Sequence, residues 1–373
     1  MQFTKLSSVK HRITVGVPLP FNVYDADRTL LLARAQQIDS VAQFESLLSR
    51  GVLVDLDEIL GPVEVAKRAP PAMLPAVWEE NLERIVSTLR DPSAPNFREA
   101  IEQSCAPMMA LIERDPDLAL FQVLLQDGDA RREYGLHHSM HAAVIGALIA
   151  RRLGWRESDT ARAVKGALTM NLAMLELQGL LAQQPGRPDA AQRREILTHP
   201  IRSREMLEVA GVQDTAWLRA VEEHHEQPDG SGYPSGTRTP CDLASLIYTA
   251  DVYSAKLSPR TGREAMSADR AIRKLYMRDP NNPFVAALVK ETGVYPPGSF
   301  VSLASGEVGV VVKRGTTITT PTVAVLTNRY RQPLVQPVRR DTAQAAYAIV
   351  GILAPRELPA QVKAQTLQAM ASG

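Results

Sequence analysis

A chain of 373 residues, 45% hydrophobic and 22% charged, is long enough for two or three domains and a substantial core. Its 42 Lys and Arg against 41 Asp and Glu leave a formal charge of +1, too little for a global field that gathers nucleic acid or an anionic membrane. Cys105 and Cys241 have neither metal nor redox spacing, and no apolar run reaches membrane-spanning length, so a cytoplasmic protein with no nucleic-acid or membrane partner is expected.

Residues 1–65 read as a small α/β module. Ile13–Val17, Phe21–Tyr24 and Val52–Leu56 have the texture of short strands, and Ser40 with Gln43 suggests a capping box for a helix closed by Gly51. Prolines 62, 70, 71 and 75 mark a boundary, and residues 66–120 read as a proline-rich linker followed by helices. Residues 121–293 carry apolar side chains at three- and four-residue spacing, which predicts a helical domain. Residues 294–340 read as an antiparallel meander with turns at Ser305-Gly306 and Asn328–Gln332. The tail, 341–373, is helical in pattern. The fold class expected is mainly α, flanked by a small N-terminal α/β module and a small C-terminal antiparallel β element.

Six of the seven histidines fall between His137 and His225. His137, His138 and His141 open one predicted helix, and His199 closes another just before Pro200. His224 and His225 end a third, capped at its start by Asp214, and run into a loop with Gly230, Gly232 and Pro234. Asp251 sits inside an apolar helical run, where a carboxylate needs a cation or hydrogen-bond donors to offset its desolvation.

These residues carry a resemblance. From about Tyr134 to Leu275 the chain resembles an HD-GYP domain, a branch of the HD-domain metal-dependent phosphohydrolases. His138 matches the family's first His and His199 a later one. His224-His225-Glu226 with Asp229-Gly230-Ser231-Gly232-Tyr233-Pro234 matches its signature, and Asp251 its final Asp. The segment Tyr295–Ser299 also resembles the family's C-terminal extension. The resemblance implies a bacterial signalling protein acting on cyclic di-GMP through a site of two or three metal ions, often iron or manganese.

The family's His-Asp motif is where the chain departs. Aligned without gaps, Met170 and Asn171 stand in place of His and Asp, and Met174 in place of a Lys. A thioether is a poor ligand for iron, manganese or magnesium, and a neutral amide does not readily bridge two cations. The segment is predicted to stay helical, with Val164, Leu168, Asn171, Leu172 and Leu175 on one side. An upstream acid of the family is replaced by Tyr134. No residue is therefore assigned a catalytic role, and a dinuclear centre is not expected.

What the resemblance leaves is a partial metal site of His138, His199, His224, His225 and Asp251. The three later histidines could hold one divalent ion (Zn, Mn or Fe), or no ion is bound. His138 and Asp251 either assist or hydrogen-bond to each other. Arg260 and Arg263 are candidates for phosphate contact, with solvated arginines as the alternative. Asp229, Gly230, Gly232, Tyr233 and Pro234 form a loop that in the family meets diguanylate cyclase domains. The expected function is a catalytically impaired regulatory or binding module in cyclic di-GMP signalling. The alternatives are an active cyclic di-GMP phosphodiesterase with an atypical metal site and a structural or oligomerising scaffold. A homodimer is compatible with each.

Overall fold

The computed structural model describes residues 3–124, 133–261 and 263–354, with Leu367, Met370 and Ala371. The chain divides into two compact units, Met1–Ala69 and Pro70–Gly373.

The first unit holds β1 (Phe3–Lys5), β2 (Val23–Tyr24), β3 (Leu30–Leu32), α1 (Val41–Ser49), β4 (Leu53–Asp55), α2 (Leu56–Ile59) and α3 (Pro62–Arg68). Its strands form one antiparallel sheet in the order β1-β4-β2-β3. Phe21, Val23, Ile38, Val52 and Val54 make a fully buried core. Ser40 caps α1 by accepting from the Gln43 amide, and the Gln43 side chain accepts from the Asp39 amide. The expected strand at Ile13–Val17 is absent. Gly16 adopts a φ of +80°, and its amide donates to the Ile38 carbonyl, so the chain turns where alternation suggested extension.

The second unit is helical. It runs through α4 (Leu74–Arg90), α5 (Phe97–Arg114), α6 (Pro116–Leu124), α7 (Tyr134–Arg152), α8 (Glu157–Thr169), α9 (Leu175–Gln183) and α10 (Ala190–Val209). It continues through α11 (Thr215–Glu223), α12 (Asp242–Leu257), α13 (Ala268–Arg278) and α14 (Pro283–Thr292). Helix α7 is the hub, buried almost all round and packed by α8, α9, α12 and α14. Its small residues, Ala142, Ala143, Gly146 and Ala147, let those neighbours approach closely.

Three boundaries differ from the sequence expectation. Helix α8 stops at Thr169. The Thr169 hydroxyl bonds back to the Lys165 carbonyl and accepts from the indole of buried Trp217. Asn171 leaves the helical region (φ −109°, ψ 15°), and a short 3₁₀ turn, Leu172–Met174, follows, with the Ala173 amide taken by the Ser203 hydroxyl of α10. The helix bearing His199 does not end there but continues through Pro200 to Val209. Helix α11 ends at Glu223, leaving His224 as its C-cap.

Beyond the helices, β5 (Phe300–Leu303), β6 (Val308–Lys313), β7 (Thr322–Thr327), β8 (Pro333–Asp341) and β9 (Ile349–Leu353) form an antiparallel sheet in the order β8-β7-β6-β5-β9. Alternation along β6 sends Val310 and Val312 toward Phe121 of α6 and Val311 to the opposite face with Val301 and Val323. The tail was expected to be helical from Ala343. Instead Ile349–Leu353 is a strand paired to β5. Of the remainder, 355–366, 368–369 and 372–373 lie outside the described residues, and Leu367, Met370 and Ala371 are helical.

Candidate functional site

Four helices deliver the histidines and Asp251. His138 comes from the first turns of α7, His199 from mid-α10, His224 and His225 from the end of α11, and Asp251 from the middle of α12. Ring nitrogens of His199, His224 and His225 all lie within 4.8 Å of one another. Asp251 exerts its charge on all three, so the five residues form one constellation.

Two backbone carbonyls fix the tautomers. Pro200 has no amide hydrogen to give the Ile196 carbonyl, and that oxygen instead accepts from Nδ1 of His199 at 2.6 Å. The Val221 carbonyl, in the last turn of α11, accepts from Nδ1 of His224 at 2.6 Å. With both Nδ1 atoms donating, a neutral ring presents only a lone pair at Nε2. These two Nε2 atoms face each other at 3.2 Å. Two facing lone pairs repel unless a proton or a metal ion lies between them.

Protonation is the costlier solution. Burial, reinforced by His224, pushes His199 down to about 3. Burial likewise lowers His224 and holds His225 well below its ordinary value. A metal ion offsets its own desolvation with coordination bonds, and tetrahedral bonds of about 2.0–2.1 Å set their nitrogens about 3.3 Å apart. The three-imidazole group therefore fits one divalent cation, with carbonyls as the outer partners that orient ligating rings.

On the other side of the constellation His138 and Asp251 bond to each other, while Nδ1 of His138 is buried without a hydrogen-bond partner. Nε2 of His138 donates to Asp251 Oδ1 at 2.6 Å, and a donating nitrogen has no lone pair for an ion. Burial alone would raise the Asp251 carboxyl. The hydrogen bond and charge of His138, with His225 and His224 nearby, outweigh it and hold the acid well below the carboxylate range. Tyr134, one turn before His138 on α7, stacks on its ring at 5.6 Å with the planes 6° apart.

The signature loop folds over the triad. Glu226 Oε1 accepts from the Ser235 amide and hydroxyl and from the Gly236 amide, tying the ends of the loop together. Tyr233 stacks on His225 at 4.6 Å, and the Tyr233–Pro234 bond is cis. Asp229 is exposed and accepts from the amide and hydroxyl of Ser231, and Gly230 turns the chain at a φ of +79°. Gly232 lies against the backbone of His225, Glu226 and Gln227.

The two arginines are engaged elsewhere. Arg263 donates to the Ala255 and Ser258 carbonyls at the C-terminus of α12. Arg260 lies over the Tyr134 ring and donates to its hydroxyl at 2.6 Å, which links it to His138 by stacking rather than to a ligand by its fork. Met170, Asn171 and Met174 are buried where the chain packs on α10.

Sequence reasoning missed Tyr134 as the partner of His138 and Arg260. The four-residue spacing Tyr134–His138 was the available signal. It also left His141 without a place. His141 is buried on α7, and burial, with His137 and His138 beside it, pushes its imidazole down to about 3 from 6.5. The unfolded chain thus binds more protons between these values, so stability rises with pH across that window. Each such imidazole contributes up to about 1.4 kcal/mol per pH unit. The urea midpoint is expected to be lower at pH 5 than at pH 7, and His141→Leu to shrink the difference. Equal midpoints in the unmodified chain would contradict this.

No family model matches the chain. It is 29% identical over 237 residues to the cyclic di-GMP phosphodiesterase PA4108 of Pseudomonas aeruginosa, covering 61% of this chain and 56% of that one. It is 31% identical over 146 residues to the 3'3'-cGAMP-specific phosphodiesterase 3 of Vibrio cholerae, covering 39% of this chain and 32% of that one. The matches thus span about half or less of these relatives. Among solved structures, Bd1817, an HDG"Y"P protein from Bdellovibrio bacteriovorus, superimposes with a TM-score of 0.51 over 77% of this chain and 97% of that chain, at 15% identity. At that identity the likeness is one of fold. Among the described residues no helix is long and apolar enough to cross a membrane. The signature loop, the helical fold and these relatives agree in likening the chain to HD-GYP proteins.

Proposed function

We propose that the chain is a regulatory module of cyclic di-GMP signalling that binds the cyclic dinucleotide at a one-ion site and is impaired in hydrolysing it. The observation that carries this reading is the asymmetry of the constellation. One half, His199, His224 and His225, gathers its ring nitrogens within 4.8 Å, with the Nε2 atoms of His199 and His224 facing each other. In the other, His138 and Asp251 are joined by a hydrogen bond of 2.6 Å that occupies Nε2 of His138.

A divalent ion held by the three imidazoles would supply charge neutralisation and Lewis acidity toward a phosphodiester oxygen. The residues of the chain do the rest. The Ile196 and Val221 carbonyls hold the rings in one tautomer, and Tyr233 covers His225 and limits access of water. Hydrolysis also needs a second source of charge and an oriented nucleophile. Met170, Asn171 and Met174 contribute neither a carboxylate nor a cation there. An active phosphodiesterase is the second reading, favoured by the names of the relatives and by the nearness of Asp251 to all three rings.

Protein purified without chelator is expected to hold one ion per chain, and His224→Ala to hold less than about a tenth of that. Cyclic di-GMP is expected to bind with one-to-one stoichiometry in a calorimetric titration. Two ions per chain, or no binding of the dinucleotide, would contradict the proposal.

A further inference from the structure

Arg314 directly follows β6 and is held by two acids. Its Nε donates to Asp117 in the first turn of α6, and its Nη1 donates to the carbonyl and to Oε2 of Glu291 on α14, at 2.8 and 2.6 Å. The other oxygen of Glu291 lies 3.8 Å from Arg152, the last residue of α7. That side chain is half-exposed, so the long contact adds little. Lys290, next to Glu291 on α14, is exposed and has no acid at ion-pair distance among the described residues. Arg152, Lys290 and Arg314 line one open cavity of about 420 Å³, with Asp117 and the turn Gly315-Thr316-Thr317. The turn is pinned, since the Val294 amide donates to the Ile318 carbonyl and the Thr317 and Thr320 hydroxyls meet at 2.6 Å. Carbonyls at the ends of both helices are taken too. The Thr292 hydroxyl, the Gly293 amide and Arg314 donate to Leu288, Val289 and Glu291 of α14. The amides of Leu153, Trp155 and Gly154 donate to Ile149, Ala150 and Arg151 of α7.

Two carboxylates, Asp117 and Glu291, thus meet three cations, and both are bound first to Arg314. What is left is the charge of Arg152 and Lys290, bordering a space that a ligand can enter. A bare phosphate would fill only part of it, and Tyr295 and Ile318 add carbon to its lining. We propose that this cavity is a second ligand site and binds a small organic phosphate, with Arg152 and Lys290 on the phosphoryl group and Tyr295 and Ile318 against the organic body. A planar fork and a point charge suit phosphoryl oxygens, and the Thr316 hydroxyl is a further donor. Among the described residues, none that lines the cavity belongs to the histidine constellation or the signature loop, so the site does not rest on the proposed function.

The test titrates the full chain calorimetrically with AMP, with inorganic phosphate and with adenosine. AMP is expected to bind, phosphate to bind more weakly and adenosine not at all. Arg152 and Lys290 are exposed, so Arg152→Gln and Lys290→Ala leave the core intact, which an unchanged urea midpoint checks. Loss of one charge-assisted contact is expected to weaken AMP binding about tenfold in each variant. AMP binding that both variants keep would lie elsewhere on the chain and overturn the site. Adenosine binding as tightly as AMP would overturn the anionic reading, and phosphate binding as tightly as AMP would overturn the role given to Tyr295 and Ile318. Failure of the unmodified chain to bind any of the three would overturn the proposal as a whole.

Discussion

Replacing Gly232 with alanine is expected to destabilise the second unit by about 3 kcal/mol and to abolish retention of a metal ion. A Cβ at this position would meet the Gln227 amide nitrogen at 2.4 Å, the Glu226 Cα at 2.5 Å and the His225 carbonyl oxygen at 2.6 Å. All three are backbone atoms, so no side-chain rotation relieves the clash and the loop itself must move. The Tyr233 amide, which donates to that same carbonyl, and the Tyr233 ring over His225 move with it. Denaturant unfolding and metal analysis of the variant read the two effects separately. A stable variant that still carried its ion would show that the loop does not hold the cluster together.

Asp251→Ala is expected to cost about 3–5 kcal/mol at pH 7, because it leaves His138 buried without the carboxylate it meets. The pH dependence follows from the sign of the shift. The folded-state pKa of Asp251 is depressed, so its stabilisation is fully present above the ordinary carboxylate value of 3.8 and is lost as pH falls through the folded value. The difference in urea midpoint between the unmodified chain and Asp251→Ala should therefore be largest at neutral pH and shrink toward strong acid. Measurement of both proteins from pH 7 downward checks it. A constant difference across that range would mean that packing rather than charge is what Asp251 supplies.

Much of this arrangement was legible in the amino-acid sequence because it rests on short local patterns. The signature loop announced itself by its glycines and prolines, and periodicity placed the histidines and Asp251 on separate helices. Other features depend on what a window of sequence does not contain. Helix α8 stops at Thr169 because Trp217 and Ser203, from two other helices, offer partners to that segment. Periodicity alone extended the helix to Leu175. The strand Ile349–Leu353 pairs with β5, some fifty residues earlier, and its propensity had no local rival strong enough to reveal it. Ile13–Val17 failed the other way, since its alternation pointed to a strand while Gly16 turns the chain. The tautomer of His199 was in principle readable. A proline immediately after a helical histidine frees a carbonyl four residues before the proline, within reach of that ring.

On the proposed function, the residues around Met170 and Asn171 do not supply what hydrolysis of a cyclic dinucleotide demands. The direct measurement is turnover of cyclic di-GMP by the unmodified chain, loaded with manganese or ferrous iron, beside the variant Met170→His/Asn171→Asp/Met174→Lys. The unmodified chain is expected to bind the dinucleotide without turning it over, and the variant to gain activity. Rapid hydrolysis by the unmodified chain, free of contaminating enzyme, would contradict the claim.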